Sequence, residues 1–262
     1  MTRTEVPAEA AAKSAFARHT GRVTNIPEAA VMIVVINMSP LADYDRSDGA
    51  AMCKRRFEKL TGWPVAAVHY TEASPEYVAR LHPRALFITG FGQAWETFHV
   101  PDLYPVNDLL HTTEVPVYGA CGGHQLIGYC FNRDLRKVKR LRNEPMRKLR
   151  PGEPDMGPVS GQWGYYVARG VQEVEIVKRD PIFAGLRRKI IRVPESHYCE
   201  VKQLPPDFEL LATSPECRIE MFRHRDRPLY GAQFHAEVWD GPYTDGEIIM
   251  RNFFRIAGLC PA

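Results

Sequence analysis

The clearest pattern along the chain is a series of short apolar runs separated by amphipathic or polar stretches. The run at residues 30–38 (AVMIVVINM) is almost continuously apolar and rich in β-branched residues. Such a run is typical of a strand that is buried on both faces of a parallel sheet. Further strand-like runs lie at residues 65–70, 85–89, 115–118 and 229–234. Helix-like stretches lie at residues 47–60, 75–81, 109–113 and 125–131.

This alternation predicts an α/β fold, a sandwich with a mostly parallel central sheet. Residues 164–222 are rich in strand signals and short turns, which predicts a small antiparallel extension. No repeat or strong linker divides the 262 residues. We therefore expect one domain at residues 28–262, preceded by an N-terminal arm at residues 1–27 in which residues 8–18 could form a short helix.

The apolar run that ends at Tyr118 leads directly into a Gly-x-Cys-x-Gly motif and then into a predicted helix. A nucleophile on a sharp strand-to-helix turn needs small neighbours, which Gly119 and Gly123 provide. The turn would place Cys121 at a helix N-terminus, where free N–H groups favour a thiolate and can hold an oxyanion. The motif predicts acyl transfer through a thioester, although a buried and inert cysteine would give the same short pattern.

A candidate base lies far along the chain, where the run at residues 229–234 is followed by His235 and Glu237. Residues two apart in an extended chain point to the same side, so the carboxylate can orient the imidazole. Because ligand sites of parallel sheets gather at the carboxyl ends of strands, we expect Cys121 and His235 to meet there. The alternatives are an exposed pair after a strand, or a metal site. No CxxC or HxxxH spacing completes a metal site, so we expect neither metal nor cofactor.

The motifs at residues 119–125 (GACGGHQ) and 231–237 (GAQFHAE) together resemble those of the class I glutamine amidotransferase family. Within that family they are most similar to the glutaminase domain of GMP synthetase. The resemblance extends to the segment at residues 88–92 (ITGFG), where the family has its oxyanion loop, and to residues 195–198 (ESHY), near its substrate. The resemblance implies a three-layer, flavodoxin-like form of the α/β fold predicted above, and hydrolysis of the side-chain amide of glutamine.

The resemblance also implies roles for individual residues. Cys121 would be the nucleophile, His235 the base and Glu237 its orienter. The N–H groups of Gly90 and Gly122 would form the oxyanion hole. The residues that would line the pocket for the amino-acid end of the substrate are Gly92, Gln125, Ser196 and Tyr198.

The sequence departs from the family pattern at three positions. Ala236 replaces a proline between the base and its orienter, which leaves both functional side chains in place. Phe91 replaces a proline in the oxyanion loop, and Tyr198 stands where glycine is common. The last two departures lie near the substrate, so they leave open whether the substrate is glutamine or another γ-glutamyl compound.

Composition and charge bear on the class of partner and on the cellular compartment. A net charge of +3 is too small to imply nucleic acid, and no run reaches the length of a membrane span. The six cysteines are scattered, which favours reduced thiols in the cytoplasm. Residues 133–150 carry nine basic and two acidic side chains; this is either a docking surface for an acidic partner or, more simply, a solvated charged face.

Three functions remain open. The first is a glutaminase that supplies ammonia to a separate synthetase or other acceptor subunit, since no phosphate-binding loop is present in the sequence. The second is a free-standing hydrolase of a γ-glutamyl compound or another small amide. The third is a non-catalytic binding subunit, against which the presence of Cys121, His235 and Glu237 argues.

Overall fold

A computed structural model describes residues 32–46, 48–159 and 161–260. The N-terminal arm and its expected helix at residues 8–18 lie outside these residues, so the domain boundary at residue 28 stays a prediction. The strands are β1 (Met32–Asn37), β2 (Val65–His69), β3 (Pro83–Ile88), β4 (Val117–Ala120), β5 (Ala168–Ile176), β6 (Ile190–His197), β7 (Phe208–Thr213), β8 (Met221–His224) and β9 (Leu229–Ala232). The α-helices are α1 (Asp48–Thr61), α2 (Pro75–Ala79), α3 (Tyr104–Thr112), α4 (Gly122–Asn132) and α5 (Asp245–Ile256).

The nine strands form one sheet in the order β2-β1-β3-β4-β9-β8-β7-β5-β6. The pairs β2-β1, β1-β3, β3-β4 and β4-β9 are parallel. The pairs β9-β8, β8-β7, β7-β5 and β5-β6 are antiparallel. The predicted α/β fold with an antiparallel extension is therefore confirmed, and the extension continues the central sheet as four strands. The parallel half brings β4 and β9 side by side, with Ala120 opposite Ala232.

The apolar runs follow from burial on both faces of the parallel strands. In β1, Ile33 and Val35 belong to one core cluster, whereas Val34 and Ile36 belong to the other. The first cluster is covered by Phe57 of α1 and by α5. Fully burying a large apolar side chain stabilises a fold by roughly 1.5–3 kcal/mol. Because helices cover both faces of these strands, apolar residues are favoured at successive positions, which gives continuous apolar runs.

Helices α3 and α4 cover the second face, on which Leu109, Leu126 and Ile127 are buried against the sheet. An aromatic group of this face surrounds Phe91, whose ring lies 4.7 Å from that of Trp95 and 4.8 Å from that of Phe98. The loop after β3 is therefore part of the second core. Among the described residues, no helix combines the length and the apolar character that a membrane span requires.

The basic segment at residues 133–150 is held largely by ion pairs within the chain. Five of its nine cations have acidic partners: Arg133 with Glu144, Arg136 with Asp108, Lys137 with Asp134, Arg147 with Glu153 and Glu216, and Arg150 with Glu216. Lys148 lies 3.6 Å from the ring centroid of Tyr165. This pairing favours a solvated charged face, since most of the charge is already balanced locally; the docking surface stays a prediction.

Candidate active site

Cys121 occupies the turn between β4 and α4, as the sequence predicts. Its backbone has φ 49° and ψ −104°, a conformation that is costly for a residue with a side chain. Its N–H donates to the carbonyl oxygen of Ala232 at 2.8 Å, and its carbonyl oxygen accepts from Gln125 N at 3.0 Å. The turn is thus held from β9 and from the first turn of α4, and the strain projects the thiol at the sheet edge.

The glycines on either side of Cys121 are required by close backbone contacts. A β-carbon on Gly119 would lie 2.7 Å from the carbonyl carbon and oxygen of Gly123. A β-carbon on Gly123 would lie 2.5 Å from the carbonyl oxygen of Ile88. Strand β4, the start of α4 and the end of β3 therefore pack at distances that only glycine permits, in agreement with the small neighbours expected for such a turn.

His235 and Glu237 follow β9 and face the same edge. The imidazole Nδ1 lies 2.7 Å from Glu237 Oε1. The backbone N–H of His235 donates to the carbonyl oxygen of Pro194 in β6 at 2.8 Å, which ties the segment after β9 to β6. Burial acts to lower the pKa of His235, but the charge of Glu237 and the contact with Cys121 outweigh it, so the pKa is raised well above 6.5. This favours the imidazolium form.

The structure brings the three expected triad residues together. The imidazole of His235 is hydrogen-bonded to Glu237, and it lies close enough to Cys121 for the charge of the sulfur to help raise its pKa. Gly90 lies against this group: a β-carbon there would be 3.2 Å from Cys121 Cβ and 3.3 Å from His235 Cε1. The chain segments that carry these residues are distant in sequence and meet at the carboxyl ends of β3, β4 and β9, as parallel-sheet topology predicts.

Gly122, the second expected oxyanion donor, is the first residue of α4. The N–H groups in the first turn of a helix have no partner within the helix, so they are available to an anion. The ring of Phe91 packs directly on Gly122, where a β-carbon would lie 2.3 Å from Phe91 Cε1. Phe91, the departure from the family's proline, is therefore the side chain that fixes the loop of Gly90 against the start of α4.

Two cavities meet at Cys121. The inner one, of about 20 Å³, is lined by Gln125, Tyr198 and Asn143 among others. The outer one is an open cleft of about 620 Å³ that reaches His235, Gly92 and Arg169. The thiol thus separates a narrow pocket from a wide one. An acyl group and its leaving group could occupy opposite sides of the sulfur.

The expected substrate residues all line these cavities. The carbonyl oxygen of Ser196 lies 3.9 Å from Cys121 Sγ. The hydroxyl of Tyr198 donates to the carbonyl oxygen of Gln93 at 3.3 Å, which ties the end of β6 to the loop after β3. Gln125 is buried, and its amide nitrogen donates to Cys199 O at 2.9 Å. Its oxygen has a lone pair left for a ligand after it accepts one bond from Trp95.

Gln233, which was not among the expected site residues, lies beside the nucleophile. It is fully buried, and its amide nitrogen lies 3.6 Å from Cys121 Sγ. The spacing in the sequence gives a signal for Gln233: it lies two residues before His235, and Glu237 lies two residues after it. In an extended segment all three side chains would point to the same side. The sequence alone does not show that this side chain turns towards the sulfur rather than into the core.

A second buried group lies behind Ser196 and was also not foreseen. One ligand atom each of Glu195, His197 and Glu220 falls within 4.8 Å of the others, a grouping that could hold a metal ion. Hydrogen bonds within the protein explain the same geometry: His197 Nε2 lies 3.0 Å from Glu195 Oε2, and Nδ1 lies 2.9 Å from Cys199 O. Burial, and next the charge of Glu195, raise the pKa of Glu220 to about 8, so a proton can take the place of a cation.

His124 lies inside the nucleophile motif but has a packing role. It is fully buried, its Nε2 lies 3.1 Å from Ile219 O, and its ring stacks on that of Phe222 at 4.3 Å. Burial lowers its pKa to about 3, so the ring is neutral. It takes no part in the group around Cys121.

Comparison with known proteins gives the family. The family model described as "Glutamine amidotransferase class-I" matches residues 50–257. The chain is 41% identical over 145 residues to a subunit of GMP synthase (glutamine-hydrolyzing) from Pyrococcus abyssi, with 55% of this chain and 61% of the relative covered. It is 36% identical over 147 residues to the corresponding subunit from Archaeoglobus fulgidus, with 56% and 64% covered. The chain thus matches about three fifths of the length of these curated relatives.

Solved structures agree with this fold. A candidate GMP synthase subunit from Thermoplasma acidophilum superposes with a TM-score of 0.64 at 24% identity, covering 88% of this chain and 96% of the other. The glutaminase domain of Trypanosoma brucei CTPS, solved with bound acivicin, gives 0.63 at 17% identity and covers 88% and 95%. At such identities the likeness establishes the fold alone. Because the family model covers most of the sequence, the resemblance is confirmed: this chain belongs to the class I glutamine amidotransferase family.

Proposed function

We propose that the chain hydrolyses the side-chain amide of glutamine and supplies the ammonia to a separate synthetase subunit. The observation that carries the proposal is that the strained turn of Cys121 and the imidazole of His235, which lies 2.7 Å from Glu237, line the same cleft beside Gly90. Family membership and the similarity to the glutamine-hydrolyzing GMP synthase subunits support the same activity. They favour a partner of the kind that joins ammonia to a nucleotide.

The reaction follows from these groups. His235 takes the thiol proton of Cys121, and Sγ bonds to the γ-carbonyl carbon while the carbonyl electron pair moves to oxygen, where the N–H groups of Gly90 and Gly122 hold it. When the carbonyl re-forms, the C–N bond breaks and the nitrogen takes a proton from His235, leaving as ammonia. Water then gives a proton to His235 and attacks the thioester. Breaking of the C–S bond releases glutamate and the free thiol.

The side chains of the inner pocket would bind the amino-acid end of glutamine, which requires that its space of about 20 Å³ widen when the substrate enters. Gln125 Oε1 can accept from the α-ammonium group, and the pocket also presents Ser196 and Tyr198. Gly92 lies at the open side, where a β-carbon would meet nothing within 4 Å. We infer that its backbone, rather than a need for space, serves the substrate.

Ammonia release from glutamine by the purified chain tests the proposal. Cys121→Ala should abolish release, whereas Cys260→Ala, the same change at a cysteine outside the site, should leave it intact. A diazo-ketone glutamine analogue should label the peptide that contains Cys121 in the wild type and not in Cys121→Ala. Ammonia release that persists in Cys121→Ala would refute the assignment. Addition of the candidate synthetase should make glutamine replace free ammonium as its nitrogen source.

A second candidate rests on the outer cleft. Its volume of about 620 Å³ is larger than an ammonia leaving group needs, and the exposed Arg169 on its wall offers a charge that ammonia would not use. A γ-glutamyl compound with a larger leaving group would fill it. A panel that compares kcat/KM for glutamine with that for γ-glutamyl amines and γ-glutamyl amino acids separates the two, since only the second candidate gives higher values for the larger substrates.

We also infer a cytoplasmic location. All six cysteines are free thiols in the structure, and five of them are buried. Reduced cysteines of this kind are usual where glutathione and thioredoxin keep thiols reduced. Localisation of a tagged chain in the source cell tests this.

A further inference from the structure

Gln233 and Gln125 form a buried chain of hydrogen bonds that ends on the nucleophile. Trp95 Nε1 donates to Gln125 Oε1 at 2.8 Å. Gln125 Nε2 donates to Cys199 O at 2.9 Å and to Gln233 Oε1 at 3.2 Å. Gln233 Nε2 then lies 3.6 Å from Cys121 Sγ. Trp95, Gln125 and Gln233 are 1%, 7% and 0% exposed, so water cannot replace these bonds.

The Trp95 indole at one end of this hydrogen-bond series fixes which atom donates in every later bond. An indole N–H can only donate, so the Gln125 atom that faces Trp95 must be the amide oxygen. The Gln125 nitrogen therefore faces Cys199 O, which can only accept, and also faces Gln233. The Gln233 atom that faces Gln125 must then be its oxygen. Its NH₂ group is left pointing at the sulfur, and a flipped amide would place two donors or two acceptors together.

From this arrangement we propose that Gln233 is a further catalytic residue, a fixed donor that favours the thiolate of Cys121 and that the Trp95–Gln125 relay holds in the donating orientation. The proposal deepens the function proposed above and rests on it only for the catalytic meaning of the thiolate. The contact itself concerns the free protein.

The remaining neighbours of the sulfur explain why such a donor matters. The carbonyl oxygen of Ser196 lies 3.9 Å from Sγ and can only accept, so it stabilises the thiol form. His235 in its imidazolium form favours the thiolate, but it must give up its proton to the leaving group during the reaction. Gln233 cannot lose its proton. It therefore stabilises a negative sulfur both before attack and again when the thioester is hydrolysed, when Cys121 is the leaving group.

The test is the pH dependence of alkylation of Cys121 by iodoacetamide, followed by mass spectrometry of its peptide in the absence of substrate. Gln233→Leu removes the donor, and the midpoint of alkylation should move up by about one pH unit or more, the size expected for a hydrogen bond to a charged group. Gln233→Glu keeps the acceptor for Gln125, and its ionised carboxylate replaces the donor with a negatively charged oxygen. Its midpoint should move up further.

Two comparisons separate this role from simple packing. Gln172→Leu makes the same change on β5, where the amide donates to the carbonyl oxygen of Arg169, and should leave the midpoint at its wild-type value. Trp95→Phe removes the indole N–H that orients the amide of Gln125. It should move the alkylation midpoint in the same direction as Gln233→Leu, but by a smaller amount. Near-UV circular dichroism identifies variants that have lost the fold. If Gln233→Leu does not fold, the alkylation midpoints of Gln233→Glu and Trp95→Phe test the inference in its place.

An unchanged midpoint in the folded Gln233 variants overturns the inference, whatever the chain does with glutamine. A raised midpoint together with no ammonia release from glutamine by the wild type leaves the inference standing and refutes the proposed function instead. With both intact, kcat for ammonia release should fall at neutral pH in Gln233→Leu, its rise with pH should shift upwards in parallel with alkylation, and KM should change little.

Discussion

The ring of Phe91 occupies the space in which a side chain at residue 122 would lie: a β-carbon on Gly122 would be 2.3 Å from Phe91 Cε1. The two residues belong to different halves of the expected oxyanion hole, one in the loop of Gly90 and the other at the start of α4. Their contact makes the position of one N–H group depend on that of the other. Where the family has a proline that stiffens this loop internally, the present chain holds the loop by packing.

Replacement at these two positions should reveal the coupling. Gly122→Ala forces the Phe91 ring out of its aromatic group and should lower the free energy of unfolding by about 1–3 kcal/mol, as overpacking does. In the background of Phe91→Ala the same change should cost much less, because the ring that blocks the β-carbon is gone. Urea unfolding of the four proteins measures the coupling; costs that simply add would contradict the contact.

The strain at Cys121 leads to a prediction about stability. A residue with a side chain at φ 49° and ψ −104° is held at a cost of roughly 1–3 kcal/mol. Cys121→Gly should therefore raise the melting temperature while it abolishes activity, even though glycine gains entropy in the unfolded chain. Cys121→Ala keeps the β-carbon and serves as the control, since it should lack most of this gain. Equal melting temperatures for the two variants would mean that the turn stores no strain.

Glu237 should set the protonation of His235. Because the carboxylate favours the imidazolium, Glu237→Gln should move the titration midpoint of His235 to lower pH, measured by NMR of its Cε1–H signal. Cys121→Ser in both proteins removes the coupled thiol from this measurement. In the otherwise wild-type chain, Glu237→Gln should lower kcat on the order of 100-fold or more, as loss of an oriented general base does. A midpoint that does not move would assign the raised pKa to another group.

The buried Glu220 should make stability depend on pH in a definite direction. Its pKa is raised from 4.5 to about 8 by burial and by the charge of Glu195. Between these two values the folded chain binds more protons than the unfolded chain, so this carboxyl makes stability fall as pH rises. Below about pH 4.5 and above about pH 8 its contribution should be level.

Glu220→Gln removes this proton exchange and keeps a side chain that can accept from Ser214. Melting temperatures of wild type and variant, compared from pH 5 to 8.5, should show a smaller fall with rising pH for the variant. The reverse order would mean that Glu220 is ionised in the folded chain. A metal ion that occupies the group of Glu195, His197 and Glu220 would reveal itself as stabilisation by added zinc that the variant lacks.

The sequence by itself determined the fold class and the triad candidates. Strands buried on both faces need continuous apolar runs, as in residues 30–38. The strained turn needs glycines at positions 119 and 123. Both are local requirements, so both can be recognised in the sequence. Only the tertiary structure decided that Gln233 faces the sulfur, that Phe91 packs on Gly122, and that Glu220 joins Glu195 and His197. These contacts join residues that are far apart in the chain, and their side chains would satisfy the local pattern equally well if they pointed elsewhere in the core. The role of each of these side chains depends on which atoms it contacts in the folded chain, and on whether those atoms can donate a hydrogen bond or only accept one.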